Sequence, residues 1–112
     1  MKPSVDRKQA VRDYKARKIA RGIYAVRAAG GADVWVGSSM NLDGAKNRLW
    51  FSLINGTHKD QVLQARWKAL GDQAFEFEVL ERLSDEISDL RIRDVLGERE
   101  SHWTQLLHAR SL

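Results

Sequence analysis

Gly22-Ile23-Tyr24-Ala25-Val26-Arg27 and Asp33-Val34-Trp35-Val36-Gly37 flank the link Ala29-Gly30-Gly31-Ala32, and the reading of this stretch decides the fold. In the first arm Tyr24 and Val26 share one face while Ile23, Ala25 and Arg27 take the other, the period of two expected of a strand. The second arm sets Val34 and Val36 against Asp33, Trp35 and Gly37, and the glycines between supply what a hairpin loop needs. A register whose paired positions sum to an odd number brings Tyr24 and Trp35 to the same face; an even one separates them. Two aromatics at this spacing belong more often to a sheet core than to a site.

The chain's 112 residues suffice for one core and are too few for two. With 43% hydrophobic and 30% charged residues it fits neither the disordered nor the membrane class, and no apolar run approaches a spanning helix. The start, Met1-Lys2-Pro3-Ser4-Val5-Asp6, has no apolar stretch suited to a secretory signal, so a cytoplasmic protein with no membrane partner is expected. Cysteine is absent, which excludes disulfides, thiolate metal sites and cysteine nucleophiles.

Charge is uneven. Residues 1–27 hold nine basic side chains against Asp6 and Asp13, whereas the remainder holds 10 basic and 13 acidic ones, so +7 faces −3. Lys8, Arg12 and Lys15 stack at i, i+4, i+7 on an amphipathic helix expected over residues 1–20. Such clustering suits the phosphates of a polyanion, and equally suits a solvated helix face.

After the hairpin, Asn41 is positioned to cap a helix running to Ile54, stopped by Asn55-Gly56. Thr57 is the expected cap of a further helix over 58–70, where Leu63, Trp67 and Leu70 form an apolar stripe ending at Gly71. Phe75, Phe77 and Val79 alternate with Glu76 and Glu78 as a third strand. Ser84-Asp85-Glu86 reads as the opening of a last helix towards Leu107. The order predicts an α/β (α+β) domain with a three-stranded, mainly antiparallel sheet flanked by helices, preceded by the basic helix.

In that last helix Leu96, Glu100, Trp103 and Leu107 fall at i, i+4, i+7 and i+11, which sets Glu100 in an apolar stripe while Glu98 points elsewhere. An inward carboxylate needs a partner: an arginine such as Arg48 or Arg99, a hydrogen-bond network, or a cation. Magnesium fits the last option, because it often takes just one or two protein carboxylates and completes its shell with waters and phosphates.

Gly22-Ile23-Tyr24, Trp35-Val36-Gly37-Ser38, Arg48, His58 and Glu98-Arg99-Glu100 with Trp103 together resemble a GIY-YIG nuclease domain over about residues 21–107. The resemblance implies a metal-dependent endonuclease that hydrolyses nucleic-acid phosphodiesters with one Mg²⁺ or Mn²⁺ ion. It implies Tyr24 as catalytic tyrosine, Arg48 as phosphate contact, His58 as auxiliary polar group and Glu100 as metal ligand. Lys8, Arg12, Lys15, Arg27 and Arg48 are the expected nucleic-acid-binding cations, with DNA as the expected partner. The domain would span 21–112, with 1–20 as the added helix, and a protein partner would supply target specificity.

Three features depart from the family pattern. Trp35 stands where the second motif usually has tyrosine, and an indole offers only an N–H donor. The usual spacing places the arginine nearer Ala45, one helical turn from Arg48. An asparagine often found beyond the last helix has no counterpart. These departures define the alternative, a catalytically impaired nucleic-acid-binding module on the same fold. For catalysis, Tyr24 would take a proton from water with its acidity raised by Arg48 or Arg27 and the metal-bound phosphate. His58 would orient water or protonate the leaving oxygen.

Overall fold

The computed structural model describes residues 19–30 and 33–112. The hairpin forms as β1 (Gly22–Ala28) and β2 (Val34–Ser39), antiparallel with Tyr24 opposite Gly37 and Val26 opposite Trp35. Those pairs sum to an odd number, so Tyr24 and Trp35 lie on one face. β3 (Phe75–Arg82) pairs antiparallel with the other edge of β1.

The expected three-stranded sheet is corrected to four. A two-residue strand, β4 (Arg110–Ser111), runs parallel to β2, giving the order β3-β1-β2-β4. Two residues have no alternation to read, and this pairing is made by distant contacts such as the Leu112 amide donating to the Val36 carbonyl at 2.8 Å.

Helices cover both faces. α1 (Leu42–Ile54) starts at Asn41, whose side chain accepts from the Gly44 amide, as the sequence predicts. α2 (Gln61–Leu70) is capped not by Thr57 but by Asp60, whose carboxylate accepts the Leu63 amide at 3.0 Å. Together they bury Leu49, Leu53, Leu63 and Trp67 against Val26, Trp35 and Phe75. On the opposite face α3 (Ile92–Leu106) packs Ile92 and Leu96 on Ile23, Ala25 and Val36.

α3 begins later than the Ser84-Asp85-Glu86 signal predicts. The buried Arg21 guanidinium donates to the carbonyls of Ser84 and Ile87, both at 3.2 Å. Those carbonyls are therefore held by a distant side chain, and residues 84–91 form an irregular stretch with turns at 85–86 and 89–91. The basic helix, with Lys8, Arg12 and Lys15, falls on residues 1–18, outside the described residues; Ile19 and Ala20 are described and are not helical. No helix among the described residues is long and apolar enough to cross a membrane.

Gly22 pairs with Arg82 next to a bulge, the β1–β3 register shifting between Ile23 and Tyr24. A Cβ at Gly22 would run into the backbone carbonyl of Glu81, so no larger residue lets β1 approach β3 this closely.

Candidate active site

Tyr24 stands mid-way along β1, on the face covered by α1 and α2. Its ring stacks on Phe77, centroids 4.9 Å apart and planes 21° off parallel. On its other side lies Gly37, where a Cβ would come within 2.6 Å of the phenol oxygen and Cζ. The missing side chain at Gly37 is therefore the space that the Tyr24 phenol occupies.

The phenol opens into a cleft of about 240 Å³. From the sheet it is lined by Tyr24, Ser38 and Ser39, and from α1 by Ala45, Arg48, Leu49 and Ser52. The α1 positions follow the i, i+3, i+4, i+7 rule for one helix face, so Arg48 and Ala45 share the cleft and a one-turn displacement keeps the guanidinium there. Arg48 is steered by two acceptors: its Nη2 donates to Ser39 Oγ at 3.1 Å and to the Asn41 carbonyl at 3.0 Å. Ser39 also receives the Asn41 amide at 3.0 Å.

His58 closes the cleft from the α1–α2 connection. Its Nδ1 accepts the Asp60 amide at 3.0 Å, and its own amide donates to Gln64 Oε1 at 3.2 Å. Tyr24, Arg48 and His58, separated by up to 34 positions in the chain, thus meet in one space.

Glu100 does not line that cleft. It projects from α3, which packs on the opposite face, yet its charge acts on Tyr24. Its carboxylate accepts the Ser111 hydroxyl of β4. Neither candidate arginine pairs with it: Arg99 bonds Glu81 at 2.8 Å, and Arg48 is held as described. Among the described residues Glu100 has no ion pair. No group of three or more His, Cys, Asp or Glu side chains is placed to enclose a metal among them either. A single carboxylate free of cationic partners fits a hard ion that keeps most of its waters, and does not fit a closed protein cage.

Of the two arginines expected to acidify Tyr24, only Arg48 acts on it. Burial raises the phenol's pKa above its ordinary value, the Glu100 charge raises it further, and Arg48 offsets part of this. The hydroxyl is therefore harder to ionise than a free tyrosine. Arg27 contributes nothing there, because strand alternation turns it to the α3 face, where it bonds Glu78 at 3.1 Å.

Trp35 is likewise absent from the cleft. It is fully buried in the core beneath α1 and α2, with its indole N–H unpartnered among the described residues. Val36 is buried on the α3 face. Ser39 and Gln64 are cleft or supporting residues that sequence reasoning missed, while Ser38 entered it only within the motif stretch and Asn41 only as a helix cap. The Ser39–Asn41 pair next to a helix start was the one local signal available for them.

The same arrangement of sheet and helices is found in the catalytic domain of the homing endonuclease I-TevI, at 27% identity and a TM-score of 0.69, over 82% of this chain and 97% of that one. The chain has a GIY-YIG nuclease fold. A glutamate-to-alanine mutant of the catalytic domain of intron endonuclease I-TevI is similar to it as well, at 27% identity and a TM-score of 0.68, over 80% and 86% of the two chains. No protein-family model and no curated protein matches the sequence. Within the GIY-YIG fold the cleft on Tyr24 is the candidate site, and the likeness supports a nuclease-like function.

Proposed function

We propose that this chain is a divalent-metal-dependent endonuclease that hydrolyses phosphodiester bonds, with DNA as substrate. The observation that carries the reading is the convergence of Tyr24, Arg48 and His58 on one cleft of a GIY-YIG fold.

Arg48, aimed by Ser39 and Asn41, clamps a non-bridging phosphate oxygen through its remaining N–H groups. Tyr24 keeps its proton in the free protein, so its hydroxyl first orients the attacking water by hydrogen bonding. To act as the base it must first lose that proton, which requires more positive surroundings, as a divalent ion held by Glu100 would provide. His58 reaches the phosphate or the leaving oxygen from the far wall. Glu100 is the residue that would hold one Mg²⁺ or Mn²⁺ ion. Bound there, the ion would supply charge that polarises a phosphoryl oxygen and stabilises the leaving oxygen.

The groups in the cleft address phosphate and not base edges, which positions a substrate without reading its sequence. Weak sequence discrimination follows, with a protein partner supplying any target preference. A cytoplasmic location is part of the same reading.

The test is incubation of the purified protein with supercoiled, nicked and branched DNA in Mg²⁺ or Mn²⁺. Cutting that drops about 10²-fold or more in Arg48→Ala and Glu100→Ala is the expected result. No cutting by the wild type, or equal cutting by Glu100→Ala, overturns the proposal. The raised phenol pKa favours one second reading, a binding module without turnover. Its signature is salt-sensitive DNA binding that Glu100→Ala leaves unchanged, with no cleavage.

A further inference from the structure

Gln64 is a polar residue on the inner face of α2, only 9% exposed and flanked by the core residues Leu63 and Trp67. Both ends of its amide are engaged. Nε2 donates to the Leu53 carbonyl at the end of α1, at 3.0 Å, and Oε1 accepts the His58 amide at 3.2 Å. A buried amide is retained at such a position only when its hydrogen bonds are made, since an unpaired one costs about 1–3 kcal/mol. An apolar side chain would fill the same volume, leave the His58 amide without its acceptor and leave the Leu53 carbonyl with the Gly56 amide at 3.2 Å.

The two groups it joins are the last turn of α1 and the residue that closes the cleft. Around them the connection is fixed by short-range bonds, with the Thr57 amide on the Ser52 carbonyl at 2.9 Å and the Asp60 amide on His58 Nδ1 at 3.0 Å. Because Nδ1 accepts, the neutral ring carries its proton on Nε2. We infer that Gln64 is a positioning residue that holds His58 so that its imidazole presents an Nε2–H donor to the cleft. On that geometry His58 gives a hydrogen bond to the phosphate or leaving oxygen. It does not act as the base towards water. The inference rests on the endonuclease reading, and goes beyond it by naming the donor and what holds it.

Two variants test it. Gln64→Met keeps the volume and loses both bonds; Gln64→Glu keeps the acceptor for the His58 amide. Nitrogen NMR of the imidazoles at mildly alkaline pH, assigned with His58→Ala, reads the tautomer without any cleavage. The expected result is an Nε2–H ring at His58 in the wild type and in Gln64→Glu, and a mixture of tautomers in Gln64→Met. In cleavage assays Gln64→Met should lower kcat by about 10²-fold with KM for DNA unchanged, and add nothing in the His58→Ala background. An unchanged tautomer in Gln64→Met overturns the inference, as does an equal loss of activity with His58 absent. If the wild type does not cut, the endonuclease reading fails, and the tautomer measurement still decides the role of Gln64.

Discussion

A Cβ on Gly37 would lie 2.6 Å from the phenol oxygen of Tyr24, so the bare backbone of β2 is the floor on which the tyrosine rests. With Phe77 stacked on the ring from β3, the phenol is held between two strands before any substrate arrives. Pre-positioning of this kind removes orientational freedom that a reaction would otherwise have to restrict.

Gly37→Ala should therefore displace the phenol while leaving the strand intact. The expected loss is about 10²-fold in cleavage with about 1–3 kcal/mol of stability, the range for overpacking a tight contact. Urea unfolding and plasmid nicking measure the two separately. Wild-type cutting by this variant would show that the tyrosine's seat is unimportant.

Titration of Tyr24 should respond to its two charged neighbours with opposite signs. In a Tyr14→Phe background, absorbance of the phenolate should report a midpoint above that of free tyrosine. Glu100→Gln removes a cause that raises the pKa and should lower the midpoint; Arg48→Met removes the cause that lowers it and should raise it. Since the folded value lies above the unfolded one, the associated stability is complete below the unfolded tyrosine value. It is lost as pH climbs through the folded one.

Glu81 ties α3 to the sheet. It accepts Arg99 Nε at 2.8 Å and the Trp103 indole N–H at 2.9 Å. Desolvation pushes its pKa up, but the bonds from Trp103 and Arg99 outweigh that and leave it below the usual carboxylate range. The stability it adds is present above the unfolded glutamate value and lost as pH falls through the lower folded one. Glu81→Gln should cost roughly 1 kcal/mol at neutral pH, discounted for partial exposure, and flatten the acid limb of the denaturation midpoint against pH. An acid limb identical to wild type would refute this assignment.

Trp35 belongs to the core, so its replacement should be felt as stability before chemistry. Trp35→Phe keeps an aromatic ring and removes a buried N–H that has no partner among the described residues. The expected change is below about 1.5 kcal/mol, with cleavage close to wild type. Trp35→Ala should cost about 3–5 kcal/mol by leaving a cavity. Parallel thermal melts and nicking rates check both, and a Trp35→Phe enzyme that is stable but inactive would place the indole in the chemistry.

Local chemistry wrote much of this molecule into its sequence. The hairpin was legible because strand alternation has a period of two, and α1 because Asn41 caps an apolar periodicity that stops at Asn55-Gly56. Glu100 stood out because helical spacing placed a charge in an apolar stripe, and it is half-buried with its cationic neighbours engaged elsewhere. Where the local signal had a competitor, it misled. Ser84-Asp85-Glu86 has the composition of a helix start, but the Arg21 guanidinium takes two of its loop's carbonyls, and α3 waits until Ile92. Thr57 and Asp60 are both capable caps, and only the latter meets an amide.

The amino-acid order by itself determined which segments become strands and helices and which residue types are available for chemistry, since both depend on neighbours a few positions apart. Only the folded chain decided that Arg27 turns away from Tyr24, that Trp35 is core, and that Gln64 reaches from α2 to His58. It also decided that the phenol is harder to ionise than a free tyrosine, because burial and the balance of Glu100 against Arg48 are sums over groups that meet only in space. Contacts at long sequence separation carry no periodic signal, so they could be found only once the sheet and its helices were closed.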